Sequence, residues 1–324
     1  MIYTENDQAV MLLCAHLPGS QEPKPLTVSE WDALAQVLQA RKASPKDLLD
    51  HAFAASLPES LGKKDLTKAR IEALLSRGCA LGMTLASWEE RGLQVATRAS
   101  TLYPMSIRRR LGRRSPPLFY VTGNVALLQA AAVGVVGSRD ADDEALRWAK
   151  AFGQEAAKRG AAIVSGGAAG IDEAGMLGAL EAGGTAVGYL ADNLLRTSLS
   201  PKYRGYLASG KLALLTAFSP EARFSRGAAM GRNRFIYSAA QGVCVVASGE
   251  TGGTMEGAKE TLKQGWGVVH VRDAQMKGLQ DLIALGGVKA PDDPAAACEA
   301  ILRVDAAGSP VPSEPLSDSL FPEL

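Results

Sequence analysis

Short apolar or β-branched runs punctuate the second half of the chain: Val133 to Val136, Ala161 to Val164, Thr185 to Tyr189, Leu212 to Thr216, Val243 to Val246 and Val268 to Val271. Helical patterns separate them, and strands alternating with helices predict a mostly parallel, doubly wound sheet. The spacing from Val136 to Val164 is close to the roughly 30 residues of a βαβ unit. Up to about Tyr103 the pattern is helical instead. Trp31, Leu34, Ala35 and Leu38 share one face of an amphipathic run that opens at Ser29, and Ser44 caps a second run whose first turn begins with Pro45. No strand pattern competes there. From Ile107 to Pro117 the sequence reads as a loop, with Arg108, Arg109, Arg110, Arg113 and Arg114 ahead of Pro116-Pro117.

The expected organisation is an α/β fold, a doubly wound, mostly parallel Rossmann-like sheet preceded by a smaller all-helical domain. Residues 1–105 form the helical part, 106–118 a basic proline-containing linker and 119–290 the Rossmann-like domain. Residues 291–324 form a short helix, placed at Ala296 to Val304, and a flexible tail rich in Pro, Ser and acids.

Composition narrows the function. At 324 residues with 47% hydrophobic content, the chain can bury a substantial core. It carries neither an apolar run of about 18 residues nor a basic, apolar leader at Met1, so a cytoplasmic location is expected. Cys14, Cys79, Cys244 and Cys298 lack paired spacing, which predicts reduced thiols and no metal site. The three histidines, His16, His51 and His270, stand near no candidate nucleophile, so triad hydrolysis is disfavoured.

Charge then singles out one region. Between Asn193 and Gly249 lie eight basic residues against the single acid Glu221, a local net charge of +7 in a chain whose total is +1. Tyr203, Tyr206, Phe224, Phe235 and Tyr237 are interleaved with them. Cations and aromatics together suit single-stranded nucleic acid, and Phe224, Phe235 and Tyr237 are candidates for stacking bases. A solvated basic face is the other reading.

Three predicted strands end in glycine-rich loops: Gly137-Ser138-Arg139, Ser165-Gly166-Gly167-Ala168-Ala169-Gly170-Ile171-Asp172, and Ser248-Gly249-Glu250-Thr251-Gly252-Gly253-Thr254. Such loops at the carboxyl ends of parallel strands present amides to anions, while a purely geometric role in tight turns remains open for each. None is a dinucleotide fingerprint, so no cofactor is expected. Asp172 is read as a helix or loop cap. The five linker arginines are left between a nucleic-acid surface and simple solvation.

Taken in order, the segments Tyr103-Pro104, Pro116 to Asn124, Gly134 to Arg139, Val164 to Asp172, Gly231 to Arg234 and Ser248-Gly249 resemble the DprA/Smf family of bacterial DNA-processing proteins. The resemblance implies a single-stranded DNA-binding protein of DNA processing and recombination, without sequence preference, that dimerises. It also implies delivery of DNA to a RecA recombinase, in natural transformation, recombination or a defence system. The DNA-binding candidates are Gly137, Ser138, Arg139, Ser165, Gly166, Gly167, Arg226, Arg232, Asn233, Arg234, Ser248 and Gly249, with no catalytic residue and no metal. Two departures stand out: Gly175-Met176 where the family carries Ala-His, and the acidic run Asp140 to Glu144 after Arg139. The chain is also too short after the sheet for the winged helix that many members carry.

Two further readings stay open. Gly252-Gly253-Thr254-Met255-Glu256 with Arg232 is similar to the phosphate loop of LOG-type nucleotide phosphoribohydrolases, though out of register, and a nucleotide-sensing module would use the same loops. Ser317 to Phe321 is similar to a sliding-clamp-binding peptide that lacks its glutamine.

Overall fold

The computed structural model describes residues 3–19 and 23–303. Nine strands form one sheet: β1 (Leu93–Thr97), β2 (Leu118–Gly123), β3 (Ala132–Gly137), β4 (Ala162–Ser165), β5 (Ala186–Tyr189), β6 (Leu212–Thr216), β7 (Gly242–Ala247), β8 (Val268–Arg272) and β9 (Val288–Ala290). Their spatial order is β1-β2-β6-β5-β4-β3-β7-β8-β9. From β6 to β9 every pairing is parallel, whereas β1 and β2 add antiparallel strands at one end. All six strands expected from the apolar runs are present.

The helices are α1 (Glu5–Cys14), α2 (Val28–Ala40), α3 (His51–Ala55), α4 (Lys68–Leu75), α5 (Gly78–Glu90), α6 (Met105–Leu111), α7 (Asp143–Lys158), α8 (Ile171–Glu181), α9 (Leu194–Ser198), α10 (Arg204–Ala208), α11 (Arg226–Ala239), α12 (Gly253–Gln264), α13 (Lys277–Ala284) and α14 (Pro294–Arg303). Alternate residues of a strand face opposite sides of the sheet, and both sides are covered. Val133 and Val135 join the core beneath α7, α8 and α14, while Ala132 and Val136 join the core beneath α6, α11 and α13. This two-sided burial is why the strands read as nearly continuous apolar runs.

Two local expectations fail for identifiable reasons. Leu93–Thr97 is a strand, although the region before Tyr103 reads as helical. Five residues are too few for periodicity to separate the two, and pairing with β2 decides the outcome. The arginine segment is not a loop, because α6 and a 3-10 turn at Gly112–Arg114 occupy it. Its arginines stitch the structure together. Arg110 donates to the carbonyls of Tyr237, Ser238 and Ala240 at the end of α11. Arg113 grips Asp32 of α2 through two bonds of 2.7 and 2.8 Å, and Arg114 donates to Gln264 at 2.7 Å.

The amino-terminal helices pack on the antiparallel end of the sheet. Tyr120 of β2 stacks edge-on against Trp88 at 5.2 Å and accepts a hydrogen bond from the His16 amide at 2.6 Å. The Gly175-Met176 departure also has a packing reason. A Cβ on Gly175 would lie 2.4 Å from the Val135 side chain, and the Gly175 carbonyl would lie 2.1 Å from a Cβ on Gly153 of α7. α7 and α8 therefore approach each other backbone to backbone, and Met176 is wholly buried below. Cys14, Cys244 and Cys298 are buried free thiols, and Cys79 is exposed. Among the described residues no helix is long and apolar enough to cross a membrane, and no cluster could hold a metal ion. Ser317 to Phe321 lies outside the described residues.

Candidate functional site

β4, β3 and β7 are neighbours, so the three glycine loops converge at their carboxyl ends. The winding reverses between β3 and β7, which opens a crevice there as in other doubly wound sheets. The crevice measures about 440 Å³. Helix α11 forms one wall: Arg226, Ala229, Met230, Asn233 and Tyr237 recur at helical spacing and line it. Ser138, Arg139, Gly249 and the start of α12 form the other.

Beneath the crevice lies a buried charged hub. Asp172, in the first turn of α8, accepts hydrogen bonds from the Gly137 amide at 3.3 Å and the Gly166 amide at 3.1 Å. Its Oδ2 stands 3.6 Å from Nη1 of Arg232, and both side chains are under a tenth exposed. Burial pushes the Asp172 carboxyl above the usual carboxylate range, while Arg232 and the backbone amides pull it back down. Burial lowers the Arg232 guanidinium from its ordinary value, and Asp172 opposes that shift. Asp172 is thus a tie between two strand ends.

The hub corrects several expected contacts. Ser165 is completely buried, and its hydroxyl donates to the Val135 carbonyl at 2.6 Å. The Gly166 amide is engaged by Asp172, and a Cβ there would fall 1.2 Å from Arg232 Nη1. The amides of Gly137 and Ser138 are likewise committed, to Asp172 and to the Ala247 carbonyl. The backbone donors a phosphate would need are thus occupied by an internal carboxylate and carbonyl, although Gly137 and Ser138 still line the crevice. Gly167 adopts a φ of 64°, which only glycine takes without strain, and lies at the edge of a second cleft.

The triplet 232–234 is divided by the turn of α11. Arg232 points down into the hub, with Nε and Nη1 free of hydrogen bonds among the described residues. Asn233 faces the crevice and donates to the Gly253 carbonyl at 3.1 Å. Arg234 lines neither cleft: its guanidinium lies over the Phe235 ring at 4.9 Å, within electrostatic reach of Glu260 and Arg114. Phe235 and Tyr237 are buried to within 2% and cannot stack bases. Phe235 instead packs edge-on against Phe119 at 5.2 Å.

The exposed chemistry lies on the rim. Phe224 is 50% exposed, and the Arg139 guanidinium rests over its ring at 4.9 Å. Arg139 therefore turns towards the α11 side, away from the acidic start of α7, where Asp142 caps its own helix by accepting from the Ala145 amide at 2.8 Å. Helix α12 is preceded by Gly252, which offers no side-chain cap, leaving its first amides open to an anion. Ser248 is buried to 2%, its hydroxyl turned onto the Gly249 carbonyl, whereas Gly249 itself is exposed.

Phe224 also lines a second cleft of about 560 Å³, with Arg196, Arg223, Asp192, Ser200 and Tyr203. Arg139, Arg196, Arg223 and Arg226 make no ion pair among the described residues. The local charge excess marked this region, but sequence spacing alone could not group residues from the loops after β5 and β6 into one cleft.

A doubly wound sheet with a cationic crevice at its switch point places the protein in the Rossmann-like class. The sequence specifies it further: a model of the DNA recombination-mediator protein A family matches residues 94–299, and the chain belongs to that family of DNA-processing proteins rather than to an enzyme family. The DNA processing protein DprA of Bacillus subtilis is 26% identical over 228 residues, covering 69% of this chain and 74% of that protein. The structure of DprA from Streptococcus pneumoniae superposes with a TM-score of 0.68 at 19% identity, covering 93% of this chain and 98% of that one. DprA from Helicobacter pylori, whose structure was described for its single-stranded DNA-binding mode, gives a TM-score of 0.54 at 18% identity over 67% of this chain and 97% of that one.

Proposed function

We propose that this protein binds single-stranded DNA largely without regard to sequence. The observation that carries the reading is the run of unpaired cations, Arg226 and Arg139 at the first cleft and Arg223 and Arg196 at the second, with exposed Phe224 between them. A continuous cationic track spaced along two adjoining clefts suits a polyanion better than one nucleotide, and an exposed ring supplies a stacking platform that only unpaired bases can use. The description of the Helicobacter pylori relative supports the same ligand. The role is grip and presentation, in keeping with the family of DNA-processing proteins to which the chain belongs. Kinship supports action with a RecA recombinase, as a homodimer, in transformation, recombination or defence, whereas contact of the carboxyl-terminal tail with a sliding clamp is supported by the Ser317 to Phe321 sequence alone.

The test is fluorescence anisotropy with labelled single-stranded and duplex oligonucleotides across a salt series. Binding is expected to favour the single strand, with a slope of log K against log salt of about −0.7 per phosphate neutralised. Equal affinity for duplex and single strand, or no binding to either, refutes the reading.

A further inference from the structure

The second cleft contains more than phosphate-binding chemistry. Tyr203 is 3% exposed, yet its hydroxyl has no hydrogen-bond partner, and the Ser200 hydroxyl is also buried without one. Both residues line the cleft, together with Asp192, a half-buried carboxylate that makes no hydrogen bond or ion pair among the described residues. Burial raises the Tyr203 phenol strongly, and Glu173, Asp172 and Asp192 add to the shift, so the phenol stays protonated and able to donate. Both hydroxyls are closed to solvent and share one cleft with a free carboxylate; because leaving buried polar groups unsatisfied is costly, a small side-chain turn that lets them meet an external partner is favoured.

That partner must present several polar atoms at once and sit beside a phosphate. Arg196 and Arg223 flank the cleft, and Phe224 joins it to the first one, where the DNA backbone is proposed to lie. A nucleobase swung out of the strand meets these demands. Among the four bases only guanine offers two adjacent N–H donors, N1 and N2, to a carboxylate, with an O6 acceptor beside them for a hydroxyl. Thymine and cytosine lack the paired donors, and adenine presents an unprotonated ring nitrogen that would face the carboxylate unfavourably.

We propose that the second cleft is a guanine-preferring base subsite, in which Asp192 accepts from the base edge and the Tyr203 and Ser200 hydroxyls, covered in the free protein, turn to complete the pairing. The proposal rests on the single-strand reading above and adds a local preference to a grip that otherwise tolerates any sequence.

Alternating ten-nucleotide strands of thymine with guanine, adenine or cytosine, and an all-thymine strand, are titrated by anisotropy against the full chain. The guanine strand is expected to bind about fivefold more tightly than the adenine strand, the low end for a two-bond base contact in an open cleft. The adenine strand controls for purine stacking. Asp192→Asn is expected to equalise the strands without weakening all-thymine binding, and Tyr203→Phe to reduce the preference without lowering thermal stability, since its hydroxyl has no protein partner to lose. Equal affinity for guanine and adenine strands, or a preference that survives Asp192→Asn, overturns the subsite while leaving the strand-binding reading intact. Failure of every strand to bind overturns both.

Discussion

Arg232→Ala separates an arginine that builds the site from those that serve it. In the native protein Arg232 Nη1 and Asp172 Oδ2 are 3.6 Å apart, with side chains 7% and 8% exposed. At an effective dielectric of about 20, that separation corresponds to about 4.6 kcal/mol of attraction. Breaking a buried pair by removing one partner generally costs about 3–5 kcal/mol, because the remaining charge is left uncompensated. Asp172 would keep its two amide donors, from Gly137 and Gly166, so the expected loss is near the lower value, about 3 kcal/mol. Arg139→Ala removes an exposed side chain that makes no ion pair among the described residues and rests on the Phe224 ring, and stability should change by less than about 0.5 kcal/mol. Urea unfolding followed by circular dichroism measures both. The DNA readout should run the other way, with Arg139→Ala shallowing the salt slope by about 0.7 per lost phosphate contact. An Arg232→Ala protein as stable as the wild type would refute the argument that this arginine is a structural partner of Asp172. Loss of stability in Arg139→Ala would show that the rim arginine had been misassigned.

Two further outcomes follow from burial. Gly166→Ala places a methyl group 1.2 Å from Arg232 Nη1, so the guanidinium must swing off Asp172, and the protein should lose about 2 kcal/mol through that broken buried pair, with Gly227→Ala, open on all sides within α11, as the neutral to slightly stabilising control in the same urea series. Burial lowers the His270 pKa to about 4, so the folded state binds its proton less readily than the unfolded chain. Stability from this group is present above about pH 6.5 and lost as pH falls towards 4, amounting to about 2 kcal/mol between pH 7 and pH 5. A urea midpoint that did not fall over that interval, or fell equally in His270→Gln, would contradict it.

The sequence by itself determined the doubly wound sheet and the glycine-rich loops at one end of it. Six apolar runs set six strands because parallel strands buried on both faces must be apolar throughout, and that pattern is local. The charge excess from Asn193 to Gly249 likewise required no coordinates. The tertiary structure decided which residues of each motif face outward. Arg232, Asn233 and Arg234 are consecutive, yet a helix turns about 100° per residue, so one enters the hub, one the crevice and one neither. Ser165 and Gly166 looked like phosphate ligands, but the Ser165 hydroxyl is spent on the Val135 carbonyl, and Asp172, distant from Gly137 in sequence, takes the amides of Gly166 and Gly137. The arginines at 108–114 looked like a linker, and only long-range partners such as Asp32, Gln264 and the end of α11 turned them into fasteners. The second cleft was legible only in three dimensions, because loops after two different strands supply its carboxylate, hydroxyls and cations. Local periodicity fixes elements, whereas the pairing of buried charges depends on which elements meet, and that pairing decided which arginines remain free at the clefts.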